Sequence, residues 1–245
     1  STVDRYADDI HYKGGCLLNE NLGWSATMFA YSSRPPDPAL VGERWRIGDE
    51  VEAALRVWKP IYTPMVLWEQ GSAFNSECFS IARTLVRLTD ESDKPNAQRL
   101  REYRESNLES LKHALFSDAP IHDDLETLKL ADSLSMLLEI AGTDDPLVKQ
   151  VLAGKSPRER AAELVRGTKL RDVAERKRLA EGGLKAVLAS QDPMIALARL
   201  VDPAARQVRK TYEEKVEEPL RQAYAKIADA RFARLGTAVY PDATF

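Results

Sequence analysis

Beyond Gly48 the chain places apolar residues three and four positions apart among Ala, Leu, Glu, Lys and Arg, the pattern of amphipathic helices packed on one another. One stripe runs from about Asn96 to Phe116 through Leu100, Tyr103, Leu108, Leu111 and Leu115. The next runs from Ile121 to Ile140 through Leu125, Leu128, Leu134, Leu137 and Leu138. Short helices are expected to about Leu200, followed by a long one from Pro203 toward Leu235. That helix carries Val208, Tyr212, Val216, Leu220, Ile227 and Phe232 on or near one face, and Pro219 should kink or end it. Four of the starts are marked by an oxygen-bearing side chain followed by Pro: Asp145-Pro146, Ser156-Pro157, Asp192-Pro193 and Asp202-Pro203. The side chain caps free N–H groups, and Pro occupies a first-turn position that needs no donor. Ser156 and Glu159 add a capping box.

Residues 1–46 show no such period. Gly14-Gly15 and Arg34-Pro35-Pro36-Asp37-Pro38 punctuate them, and they read as loops. After Gly236 the pattern turns β-like through Thr237-Ala-Val-Tyr-Pro-Asp-Ala-Thr-Phe, as at the start of a strand. The expected architecture is an all-α, multi-helix bundle over residues 47–236, with an irregular segment at 1–46 before it and a short strand start at 237–245 after it.

Composition narrows the function classes. With 35 basic and 38 acidic residues mixed along 245 positions, the net charge of −3 offers no electrostatic footprint for nucleic acid or an anionic membrane surface. No apolar run is long enough to cross a bilayer, and the amino end lacks the pattern of a signal peptide. A chain that opens on Ser-Thr-Val without Met is expected to be processed or a fragment. Cys16 and Cys78 match no metal or redox spacing and read as isolated thiols.

Candidate chemistry is sparse. Gly23-Trp24-Ser25-Ala26-Thr27 comes within one residue of a nucleophile elbow, but Thr27 replaces the second Gly that lets the turn close. His122 and Glu126 are spaced as two helical metal ligands could be, beside Asp123 and Asp124; one His among carboxylates is more simply a solvated face, as is His113. The richest cluster is Asp8-Asp9-Ile10-His11-Tyr12, where Asp8, His11 and Tyr12 are the candidates for substrate binding against a hydrogen-bonded loop. No Gly-rich phosphate loop precedes a helix. No catalytic residue, metal ligand or cofactor site is assigned.

Further blocks are more specific. Pro60-Ile-Tyr-Thr-Pro, Ser80-Ile-Ala-Arg-Thr-Leu-Val-Arg-Leu and Lys94-Pro-Asn-Ala-Gln-Arg-Leu-Arg-Glu-Tyr are followed in order by Asp118-Ala-Pro-Ile, Asp145-Pro-Leu-Val and Ser156-Pro-Arg-Glu. Gly167-Thr-Lys-Leu, Asp192-Pro-Met-Ile and Gly236-Thr-Ala-Val-Tyr-Pro-Asp-Ala-Thr-Phe complete the series. In sequence and spacing they resemble the dipeptidyl-peptidase 7/11-type serine peptidases over about residues 48–245. The resemblance implies a helical domain inserted in a chymotrypsin-like double β-barrel, capping the cleft of a periplasmic or secreted enzyme that removes dipeptides from free N-termini. It also implies that the triad Ser, His and Asp belong to the barrel parts, so no catalytic residue transfers to a position here. Peptide substrates would be met through the full-length enzyme, and a homodimer is left open.

Residues 1–46 resemble a different group. Asp4-Arg-Tyr-Ala-Asp-Asp-Ile-His-Tyr-Lys-Gly-Gly-Cys-Leu-Leu, Ser33-Arg-Pro-Pro-Asp-Pro and Gly42-Glu-Arg-Trp-Arg are similar to X-Pro dipeptidyl-peptidase and cocaine-esterase-like α/β-hydrolases, which implies a join near Arg46. Two further readings stay open beside the peptidase fragment: a non-catalytic helical binding or assembly protein, and a residual esterase-like site around Asp8, His11 and Ser25.

Overall fold

The computed structural model of the chain describes residues 38–235, and the side-chain surroundings of 48–233 apart from 231. Every regular element among the described residues is helical. Ten α-helices follow one another: α1 (Pro38–Pro64), α2 (Glu77–Ser92), α3 (Glu105–Leu115), α4 (Asp123–Ala141), α5 (Pro146–Leu152), α6 (Pro157–Gly167), α7 (Val173–Glu181), α8 (Gly183–Ala189), α9 (Pro193–Tyr212) and α10 (Glu218–Leu235). Wider π turns at Met65–Glu69 and Glu213–Glu217 follow α1 and α9, and 3₁₀ turns occupy Ser72–Phe74, Asn96–Gln98 and Arg101–Tyr103. The chain divides into compact units between Glu50 and Val51. Of the first unit, only the opening residues of α1 are described.

Three of the four expected starts are helix N-termini. Asp145 accepts from the N–H groups of Leu147 and Val148, Ser156 and Glu159 close their capping box, and Asp192 accepts from Met194 and Ile195. The other oxygen of Asp192 accepts from Thr168 Oγ1 at 3.0 Å and from the Lys169 N–H at 2.7 Å, so one carboxylate ties the end of α6 to the start of α9. The two ends approach closely there: a Cβ on Gly167 would lie 2.8 Å from Pro193 Cγ.

Asp202-Pro203, the fourth expected start, lies inside α9. The Asp202 carboxylate is taken by the side chains of Arg87 and Arg206 rather than by its own backbone, and the helix carries Pro203 through. The expected break at Pro219 falls just upstream as the Glu213–Glu217 π turn. Widening there accommodates a residue with no N–H and a ring that crowds the preceding turn.

Three other expectations are corrected. Helix α1 begins at Pro38, within the segment expected to be irregular, because Pro suits a first turn and the Ala, Leu, Glu and Arg residues after it tolerate helix. The stripe from Asn96 is not α-helical until Glu105: Leu100, at φ −53° and ψ 141°, separates two 3₁₀ turns with its N–H held by Glu91 at 2.8 Å, and Asn96 Oδ1 accepts the Glu105 N–H at 2.9 Å. On α4 the buried face runs through Glu126, Leu130, Leu134 and Leu137, leaving Leu125 and Leu128 exposed at 53% and 64%.

Helix α2 sits centrally, packed by α7, α8 and α9, while α4 makes its most extensive contact with α6. The main core gathers Phe74, Leu85, Leu134, Leu164, Leu179 and Ile195. Phe74 stacks on Phe79 with ring centroids 4.4 Å apart. A smaller cluster of Ala54, Val216 and Leu220, flanked by Trp58, Ile61, Tyr212 and Tyr224, joins α1 to the second π turn and α10. Burying such side chains contributes roughly 1.5–3 kcal/mol each.

Candidate functional site

Arg83 and Arg87 project from adjacent turns of α2, one i,i+4 step apart, into a region where Glu69, Glu102, Asp202, Arg206, Arg209 and Glu213 converge from four other elements. Arg87 is 3% exposed. Its Nη1 and Nη2 donate to both oxygens of Glu69 at 2.9 and 2.6 Å, and its Nε donates to Asp202 at 2.6 Å. Burial alone would lower the Arg87 pKa, but these two carboxylates override it and hold the group above the ordinary arginine value. Arg206 bridges Asp202 and Glu91, each at 2.6 Å. Arg209 joins Glu102 through two hydrogen bonds, Glu213 at 2.7 Å and Glu69 at 3.2 Å. The Glu102 interaction does most to raise the Arg209 pKa.

This network has a structural reading of its own. Its charges satisfy one another and clamp α2, α9 and both π turns together.

Beside it opens a cleft of about 480 Å³, lined among others by Glu69, Arg83, Arg87, Glu102, Tyr103, Arg209 and Glu217. A second, smaller hollow of about 200 Å³ shares Gln70 and Arg83 and adds Gly71, Asn75, Ser76 and Lys129. Gly71, in the wall of the smaller hollow, has φ +79°, a conformation that suits glycine. Burial pushes the Tyr103 phenol up to about 12.

Of the residues singled out by sequence, only Cys78, His113, His122, Asp123, Asp124 and Glu126 fall among those the structure describes. Asp8, His11, Tyr12, Cys16 and Ser25, and the expected strand at 237–245, lie outside the described residues. His122 is exposed ahead of α4, and Asp123 pairs with Arg171. Glu126 is buried, accepting from Ser76 Oγ at 2.7 Å, the Cys78 N–H at 3.3 Å and Lys129 at 2.9 Å. Both of its oxygens are engaged inside the fold while His122 is exposed, so the spacing of the two does not make a metal pair. No group of three or more His, Cys, Asp or Glu that could hold a metal exists among the described residues. Cys78 is fully buried, and burial, with Glu126 beside it, raises its thiol to about 11.

The sequence model of the Peptidase S46 family matches residues 36–245. The chain belongs to this family. Peptidase S46 enzymes are dipeptidyl aminopeptidases and are generally secreted or periplasmic. No described helix is long and apolar enough to cross a membrane. No individual curated protein matches the chain. The α/β-hydrolase resemblance is not supported: the Peptidase S46 match starts at residue 36 and takes in Gly42-Glu-Arg-Trp-Arg, which had been read with the other group.

Sequence reading does not single out the cleft residues, although two of the quoted blocks contain Arg83, Arg87, Glu102 and Tyr103. The signal was there: arginines 83 and 87 interrupt an otherwise apolar run at helical spacing, so two cations must enter a buried face and find partners or a ligand.

The carboxylates of this fold make it acid-sensitive. Burial alone would raise Glu91 and Glu126. Arg206 and Lys94 at Glu91, and Lys129, Ser76 and the Cys78 N–H at Glu126, lower both below the ordinary 4.5. A carboxylate depressed in the native state stabilises it above the unfolded pKa, and that contribution is lost as pH falls through the folded value. The urea midpoint should therefore hold from pH ~7 to ~5 and fall below about 4.5, less steeply in Glu126→Gln. Parallel acid profiles for the parent and the variant would remove Glu126 from this account.

Proposed function

We propose that this chain supplies the helical domain that covers the active-site cleft of a serine-type dipeptidyl aminopeptidase, acting on peptide N-termini outside the cytoplasm. The observation that carries the reading is the Peptidase S46 match over residues 36–245, within which every described regular element is helical. The chemistry of the described residues supports it. A serine peptidase needs a hydroxyl bonded to a His that is oriented in turn by a carboxylate. Two buried serines are hydrogen-bonded on both sides, Ser76 donating to Glu126 and Ser133 to the Leu130 carbonyl, and His113 and His122 are both exposed. The network around Arg87 stiffens one face of the helical domain, as a cap that holds a cleft in shape requires.

The test is hydrolysis of a dipeptidyl reporter by the chain alone and by an enzyme in which it is joined to a peptidase barrel, each with and without a serine-directed inhibitor. The expected result is inhibitor-sensitive turnover only in the joined enzyme. Inhibitor-sensitive turnover by the chain alone would place a catalytic centre within it and overturn the reading.

A binding or assembly protein is the second reading, favoured by the exposed Leu125, Leu128 and Ile140 on α4. It predicts a stable homo-oligomer in sedimentation and no contribution to peptidase activity in the joined enzyme.

A further inference from the structure

We infer that Arg83 and Tyr103 form an anion subsite in the larger cleft, and that it takes the carboxylate of a peptide, whether an acidic side chain or a free C-terminus. Arg87, Arg206 and Arg209 each meet two or more carboxylates. Arg176, fully buried, has no carboxylate but donates to four backbone carbonyls. Arg83 does neither. Among the described residues its guanidinium makes one hydrogen bond, from Nη1 to the Glu69 carbonyl at 2.6 Å, which leaves Nε and Nη2 without partners. The group is nevertheless half-buried, and burial followed by repulsion from Arg87 pushes its pKa down. A half-buried cation whose Nε and Nη2 have no protein acceptor is stabilised by an anion that supplies one.

The surroundings keep room for that anion. Arg83 lines both hollows, and Gly71 lies against it: a Cβ there would stand 2.9 Å from Nη1. A side chain at this position would displace the guanidinium. Tyr103 adds a second donor. Its ring is buried, its hydroxyl makes no hydrogen bond with a described residue, and it is close enough to Arg83 for each to shift the other's ionisation. Guanidinium and phenol facing one cleft are a donor pair for a carboxylate.

Charge disfavours a dianion. Glu69, Glu102 and Glu213 on the cleft wall are neutralised by Arg87 and Arg209, whereas Glu217 has no ion-pair partner among the described residues and would repel a dianion more strongly. Gln70, which lines both hollows, offers an amide suited to a peptide backbone. The choice of a peptide over other monoanions rests on the proposed function; the subsite itself does not.

The experiment is calorimetric titration of the whole chain with four probes: an acetylated, amidated tripeptide with a central Asp, its Asn counterpart, an acetylated trialanine free acid, and inorganic phosphate. One or both carboxylate peptides should bind at least about 10-fold more tightly than the Asn peptide. Which of them binds identifies the source of the carboxylate. Arg83→Gln should abolish that preference, and Tyr103→Phe should weaken it by about 3- to 10-fold. Equal binding of charged and neutral peptides, or an undiminished preference in a folded Arg83→Gln, overturns the proposal, and phosphate binding above either peptide overturns the monoanion assignment. Should Arg83→Gln fail to fold, undiminished preference in both Tyr103→Phe and Gly71→Ala would have the same force. None of these measurements needs cleavage, so loss of the subsite and loss of the peptidase reading remain separable.

Discussion

Arg87→Met is expected to lower the unfolding free energy by about 3 kcal/mol, the lower end of the range for breaking a buried ion pair from one side. Removing the guanidinium leaves the carboxylates of Glu69 and Asp202, at 8% and 10% side-chain exposure, without the cation that bonds both. The loss stays at the lower end because Arg209 still reaches Glu69 and Arg206 still reaches Asp202. Arg87→Met combined with Glu69→Gln and Asp202→Asn should recover part of it, since the triple variant no longer buries uncompensated charge. Urea unfolding of the parent, single and triple variants measures the difference. A loss under about 1 kcal/mol in the single variant would mean that water or a rearranged Arg209 replaces Arg87 at little cost.

The second large effect is expected at Arg176, where the chemistry differs because no carboxylate is involved. Its Nε and both terminal nitrogens donate to the carbonyls of Leu170, Leu115, Ser117 and Arg171, at 2.6 to 3.0 Å. Those carbonyls belong to the end of α3, the chain just after it, and the loop before α7. One side chain therefore ties the end of α3 and the chain just after it to the loop before α7. Arg176→Met keeps most of the apolar stem but orphans the acceptors, and should destabilise by about 3 kcal/mol. Arg176→Lys keeps the charge and cannot span the same carbonyls, so it should retain only a small part of the stability. If Lys restored full stability, buried charge rather than the fork of donors would be what matters at this position.

These two arginines also show where sequence reading stopped. Arg176 follows Glu175 in a run that looks like any solvated helix, and nothing local distinguishes it from exposed Arg178. Its partners are carbonyls near residue 115 and near residue 170, and no periodicity points to them. Glu126 stands at helical spacing from His122, as one of two metal ligands could or, more simply, on a solvated face, and that spacing is all a sequence shows. In the fold it accepts the Cys78 N–H and the Ser76 hydroxyl, ahead of a different helix. Leu125 and Leu128 were counted on a buried stripe, yet the face that α6 covers is rotated from theirs. An apolar residue marks a face, while the neighbour decides which face is buried.

What the sequence determined by itself is local. All-helical texture after Gly48 and the starts at Asp145-Pro146, Ser156-Pro157 and Asp192-Pro193 were legible because a capping side chain and a first-turn proline act on N–H groups two or three residues away. Co-linear blocks carried the family for the same reason, as each is a contiguous run. Only the tertiary structure decided that Asp202-Pro203 continues a helix, that Glu91 holds the Leu100 N–H, and that Arg83 stands half-buried beside a cleft while Arg87, one turn on, is saturated. Those outcomes turn on charges brought together from distant positions. Their strength depends on burial, and a linear pattern does not record which charges burial will pair.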